Sequence, residues 1–111
     1  MDKLLLKGTE DTPMVNFDKD DGRIELSGRS LPENAAEFYE PLIKWLHEYA
    51  EIPNPRSAVI INLEYFNTAS SKMLLDMLSV LEHVPDSIVL WHYDQEDEDM
   101  REAGDVFSEL V

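Results

Sequence analysis

Apolar and polar residues alternate in two neighbouring stretches, Val15-Asn16-Phe17 and Arg23-Ile24-Glu25-Leu26-Ser27. A period of two puts one set of side chains on one face of an extended strand, and Asp21-Gly22 between the stretches is a turn former because glycine accepts positive φ. The pattern predicts a hairpin lying towards a sheet edge, with an optional short strand over Lys3 to Lys7 before it. Ser30-Leu31-Pro32-Glu33-Asn34 then opens a helix in which Tyr39, Leu42, Ile43, Leu46 and Tyr49 or Ala50 recur at helical spacing. Pro41 interrupts that spacing, so it either kinks the helix or sits in the first turn of the true one. Pro53-Asn54-Pro55 closes the segment in extended conformation.

The second half alternates differently. Ala58-Val59-Ile60-Ile61-Asn62-Leu63 is a β-branched apolar run, expected as a strand covered on both faces. Asn67 to Ser71 reads as a polar turn, followed by a helix from Met73 to Val84 with Leu74, Met77, Leu78 and Leu81 in one stripe. Pro85-Asp86 ends it, and Ile88-Val89-Leu90-Trp91 reads as another buried strand. A last helix carries Met100, Ala103, Phe107 and Leu110 on one side. The order β-β-α-β-α-β-α, after the optional first strand, predicts an α/β fold over residues 1–111. It is a mixed β-sheet with an antiparallel hairpin at one edge, βα units running parallel, and helices packed on the sheet.

Charge narrows the classes of function. With 24 Asp and Glu against 9 Lys and Arg, the formal net charge of −15 repels nucleic-acid backbone and anionic membrane. The absence of cysteine excludes disulfides, zinc–thiolate sites and thiol catalysis. The longest apolar run near the start is Leu4-Leu5-Leu6, too short for a signal-peptide core, and nowhere do about 18 apolar residues follow one another. A cytoplasmic protein without membrane insertion is expected.

Motifs for catalysis or metal binding fail on inspection. The loop from Asn16 resembles the start of a calcium loop, but Asp21 stands where glycine is required and Ser27 where a bidentate carboxylate is required. His47-Glu48-Tyr49-Ala50-Glu51 lacks the second histidine of a zincin helix. The four glycines never cluster, so no phosphate-cradling loop forms, and no Gly-x-Ser-x-Gly turn is present. No catalytic residue, metal site or cofactor is therefore expected. The acidic run from Asp94 to Asp99 suits the first turn of the last helix, where carboxylates offset the helix dipole, and also suits a basic docking partner.

Asn67-Thr68-Ala69-Ser70-Ser71-Lys72 stands apart. It joins a strand to an amphipathic helix, where backbone N–H groups point outward. Small polar residues there are ordinarily caps; the functional alternative is an exposed hydroxyl that accepts a phosphate, stabilised by the helix start and Lys72.

Four ordered motifs weigh on that choice: Thr12-Pro13; Gly28 with Ser30-Leu31-Pro32-Glu33-Asn34; Tyr65-Phe66-Asn67-Thr68-Ala69-Ser70-Ser71-Lys72; and Trp91-His92-Tyr93-Asp94. Together they resemble the SiaC family of bacterial regulatory phosphoproteins, whose fold is similar to the STAS domains of anti-sigma-factor antagonists. The resemblance implies a non-catalytic switch in which a dedicated protein kinase phosphorylates Thr68 and a PP2C-type phosphatase removes the phosphate. The unmodified form then binds and activates an effector such as a diguanylate cyclase, linking the switch to cyclic-di-GMP and biofilm formation. Tyr65, Phe66, Asn67, Ser70, Ser71 and Lys72 are the expected partner contacts, with Ser70 an alternative acceptor. Asn-Thr-Ala-Ser departs from the more usual Asn-Thr-Ser-Ser of the family by one hydroxyl. Glu33, Asn34 and His92 are open between partner contact and local structure. The competing reading is a STAS-type small-molecule binding module, with an enzyme third.

Overall fold

A computed structural model describes residues 2–110, the side chain of Leu110 excepted. The elements are β1 (Leu4–Leu6), β2 (Met14–Asp18), β3 (Arg23–Ser30), α1 (Ala35–Glu51), β4 (Ser57–Phe66), α2 (Thr68–Leu81), β5 (Ser87–Trp91) and α3 (Glu98–Leu110). The strands form one sheet in the order β1-β2-β3-β4-β5. Its β1–β2 and β2–β3 pairs are antiparallel and its β3–β4 and β4–β5 pairs parallel, so the predicted mixed α/β architecture is the one observed.

The strand period places Val15, Phe17, Ile24, Leu26, Val59, Ile61 and Leu63 on one face, all buried against the helices. Their neighbours point the other way: Asn16, Glu25 and Ile60 are half-buried, and Arg23, Asn62 and Glu64 are exposed. The fully buried apolar residues of these strands thus lie on one side, and the expectation that Ala58–Leu63 is covered on both faces is corrected: Ala58 and Ile60 are only half-buried and Asn62 is exposed. The same holds for Ile88–Trp91, read as buried: Ile88, Val89 and Leu90 are 58%, 44% and 40% exposed, because β5 is an edge strand beside an open sheet face.

Helix α1 buries Tyr39, Leu42, Leu46 and Tyr49 as its spacing predicts, and also Trp45. The Trp45 ring stacks on Tyr49 with centroids 5.3 Å apart and tilts against Phe17 at 5.2 Å. Pro41 lies inside the helix, which settles its alternatives against a first-turn position. It is exposed, as is Glu37, whose carbonyl loses its i+4 N–H donor to the proline. Helix α2 starts at Thr68, so the polar segment predicted as a turn is its first turn, and it ends at Leu81, three residues before the predicted Val84. In α3, Met100 and Phe107 are buried and Ala103 is half-buried; Leu110, the fourth member of that stripe, lies outside the described side chains.

The hairpin end is held by a carboxylate. Asp18 Oδ1 accepts the backbone N–H of Asp20 at 3.0 Å, and Asp18 Oδ2 lies 3.4 Å from Lys3 Nζ. Partial burial pushes this carboxyl up, but the Asp21 and Asp20 N–H groups and Lys3 outweigh it and hold it below its ordinary value.

Candidate functional site

The three helices all begin at the carboxyl ends of parallel strands, the end of an open α/β sheet where ligands and partners most often meet the fold. Strand β4 changes its side-chain parity just before α2. Leu63 pairs with Gly28 but Tyr65 pairs with Arg29, so Glu64 is an extra residue opposite the Gly28–Arg29 step. Gly28 takes φ +108, a backbone conformation open mainly to glycine. The bulge turns Phe66 inward and Tyr65 outward, the reverse of what strict alternation from Leu63 would give. Phe66 is half-buried, its ring centroid 6.4 Å from Trp91 and 6.1 Å from Phe107, whereas Tyr65 is 52% exposed.

Asn67 follows, with φ −85 and ψ 173, and its side-chain oxygen accepts the Ser70 N–H at 2.8 Å. Asn67 is therefore the cap, and Thr68 is the first helical residue. Thr68 is exposed, and among the described residues no hydrogen bond holds its hydroxyl or the N–H groups of Thr68 and Ala69. Lys72, also exposed, lies four residues on, hence on the same helix face, and makes no ion pair among the described residues.

Two residues after Thr68 the environment inverts. Ser70 is fully buried; its Oγ donates to the Ser30 carbonyl at 3.1 Å and accepts from Ser30 Oγ at 2.8 Å. Because the single Ser30 hydroxyl proton goes to Ser70, Tyr39 must be the donor in its 2.6 Å contact with Ser30 Oγ. The Ser30 carbonyl also accepts the Asn67 N–H at 3.0 Å. A chain of hydroxyls thus ties the start of α2 to the end of β3 and to α1. Burial pushes the Tyr39 phenol up against the opposing effect of hydrogen bonds from Ser30 and Ser70, so it stays a neutral donor.

The expected contacts therefore divide. Tyr65, Thr68 and Lys72 share the exposed surface at the β4–α2 junction, Asn67 and Ser71 are half-buried there, and Phe66 packs on Trp91 and Phe107. Ser70 as a surface contact or acceptor is corrected, since it has no exposed area and both its hydrogen-bonding roles are filled. Asn34 accepts the Glu37 N–H at 3.1 Å and is the cap of α1, while Glu33 beside it is exposed. His92 donates its backbone N–H to Ile61 at 2.8 Å, and its side chain is exposed without a hydrogen bond among the described residues. Asp97 Oδ1 accepts the Met100 N–H at 3.0 Å, so part of the acidic run caps α3. Ser30 and Tyr39 were missed as members of this site. Ser30 stood in a noted motif, but no local signal links it to a serine forty positions away.

Among the described residues no three His, Asp or Glu side chains converge to hold a metal ion, and no helix is long and apolar enough to cross a membrane. An apolar groove between α2, β5 and α3, lined by Leu78, Leu81, Val89, Trp91 and Phe107, measures about 240 Å³. Small-molecule sites usually span roughly 300–1,000 Å³.

Comparison with known proteins converges on one family. The model of the SiaC family of regulatory phosphoproteins matches residues 6–111. An uncharacterised protein of Pseudomonas aeruginosa strain UCBPP-PA14 is 32% identical over 114 residues, covering 98% of this chain and 90% of the relative. The crystal structure of apo-SiaC from Pseudomonas aeruginosa superposes with a TM-score of 0.90 at 30% identity, over 98% of this chain and 92% of that one. A chain from the crystal structure of the diguanylate cyclase SiaD in complex with its activator SiaC, also from Pseudomonas aeruginosa, gives a TM-score of 0.89 at 31% identity, over 96% and 90%.

Proposed function

Because the chain belongs to the SiaC family of regulatory phosphoproteins, we propose that it works as a non-enzymatic partner switch in the cytoplasm, with Thr68 as its phosphate acceptor. A dedicated Ser/Thr kinase adds the phosphate and a PP2C-type phosphatase removes it. The unmodified form binds and activates an effector, a diguanylate cyclase by analogy with the SiaC–SiaD complex.

The observation that carries this reading is the charge at the helix starts. The first turn of α1 contains Glu37 and that of α3 contains Glu98 and Asp99, but that of α2 contains no carboxylate, in a chain with 24 of them. The positive end of the α2 dipole thus has no carboxylate in its own first turn, beside a threonine hydroxyl that no hydrogen bond holds among the described residues. A phosphoryl group on Thr68 carries about −1.5 to −2 charges and three acceptor oxygens. The N–H groups of Thr68 and Ala69 and the Lys72 ammonium are within the same turn or the next to receive them. The helix start stabilises the modified state, and no large movement is needed. What changes is the surface: a partner face packed on Tyr65 and the start of α2 must desolvate a dianion where it had met a hydroxyl, and an acidic partner group is repelled.

The test compares tagged wild type with Thr68→Ala and Thr68→Asp in its own cells. A cyclase is expected to co-purify with Thr68→Ala and to make cyclic-di-GMP faster in its presence, and to be lost from Thr68→Asp. Equal recovery and equal stimulation by both variants would remove Thr68 from the switch.

A further inference from the structure

Among the described residues strand β5 pairs with β4 alone and forms the longer free edge of the sheet. Its backbone polarity is fixed at both ends: Ser57 N donates to Asp86 O at 3.2 Å, and His92 N donates to Ile61 O at 2.8 Å. Residues of that parity face β4, so the N–H and C=O groups of Ser87, Val89 and Trp91 face away from the sheet. Proteins usually protect such an edge with a charge, a proline or a bulge. Ser87-Ile88-Val89-Leu90-Trp91 has none of these, and Ile88, Val89 and Leu90 are exposed on both faces of the strand. The opposite edge, β1, is three residues long between Lys3 and Lys7, and Lys3 is paired with Asp18.

We propose that β5 is a self-association edge, taking β5 of a second copy of this chain in antiparallel pairing about a two-fold axis through Val89. This register uses the outward-facing residues and no others. Val89 meets Val89 of the second copy, and Ser87 meets its Trp91, each as a hydrogen-bonded pair. On the open face Ile88 meets Leu90 of the second copy, extending the apolar strip that Ala58 and Ile60 form beside them. No charged side chain lies within the five paired residues. Two five-stranded sheets become one of ten strands.

The opposing force is long-range repulsion between two chains of formal charge −15. Salt shortens its reach, from about 10 Å at 0.1 M to about 3 Å at 1 M, and leaves backbone pairing and apolar contact in place. Self-association at β5 therefore strengthens with salt, whereas a cationic segment of another protein on the same edge would be held more weakly by it.

Sedimentation velocity of the full chain over a concentration series, in about 0.1 M and about 1 M NaCl, tests this. The expected result is a monomer–dimer equilibrium that tightens several-fold with salt. Val89→Pro removes an outward N–H without touching the β4 ladder, and Leu90→Lys places a cation against Ile88 of the second copy. Each should raise the dimer Kd by roughly tenfold or more, with unchanged far-UV circular dichroism. Leu5→Lys, on the other edge strand, should leave it unaltered. Should Val89→Pro fold poorly, Leu90→Lys and wild-type amide exchange replace it, with the Val89 N–H protected at high concentration and released on dilution. A monomer at every concentration and salt, a dimer indifferent to both β5 substitutions, or an association that weakens with salt or falls with Leu5→Lys would each overturn the proposal.

Discussion

Helices α1 and α2 are each capped by an asparagine whose side-chain oxygen accepts the backbone N–H three residues on, Asn34 from Glu37 at 3.1 Å and Asn67 from Ser70 at 2.8 Å. The two starts read Asn-Ala-Ala-Glu and Asn-Thr-Ala-Ser. In α1 the third helical residue is an exposed glutamate that offsets the dipole, and the cap itself is exposed. In α2 the third residue is a fully buried serine tied to Ser30, and the first turn holds no carboxylate. One start carries a carboxylate in its first turn under an exposed cap; the other carries none and is tied through Ser70 to Ser30. The buried tie anchors the turn that carries Thr68, and a first turn without a carboxylate suits the phosphate proposed there.

The contrast is broken most severely by a charge at the third position. Ser70→Asp buries a carboxylate with no cation near it and should cost on the order of 3–5 kcal/mol or prevent folding, whereas Glu37→Ser should change stability by less than about 1 kcal/mol in urea titrations. Loss of the caps comes next. Asn67→Ala should cost about 1–2 kcal/mol, and Asn34→Ala about 0.5–1 kcal/mol, because only the first bond is half-buried and coupled to a second anchor. Tyr39→Phe removes the donor at the head of the hydroxyl chain and should cost about 1 kcal/mol, with faster amide exchange at Ser70 and Ser71 than elsewhere in α2. The smallest effect has the opposite sign. Thr68→Asp should stabilise by about 0.3–1 kcal/mol at low salt, a gain that fades at high salt, and Ala36→Asp should gain less because Glu37 already occupies that turn.

Patterning made most of the scaffold legible. Alternation at Val15–Phe17 and Arg23–Ser27, helical spacing at Tyr39–Tyr49 and Leu74–Leu81, and the turn residues between them yield the observed order of elements. Layering was less legible: Ala58 and Ile60 are apolar like Val59 and Ile61, so the run does not show that one of its faces is left open. At the site, the motif around Thr68 was visible but its geometry was not. Four polar residues mask a helix start because a helix end needs little apolar periodicity. The bulge at Glu64 inverts the facing of Tyr65 and Phe66, and depends on Gly28 in another strand. Ser70 looks like a surface residue until Ser30 and Tyr39 are brought to it by the fold, and composition carries no trace of a contact between such distant positions.

The most direct test of the account is where phosphate resides on the protein in its own cells. Peptide-level mass spectrometry across growth conditions should find phosphate on Thr68 and none on Ser70 or Ser71. Phosphate on Ser70, or none on Thr68 under any condition, would contradict a start of α2 built to present that threonine.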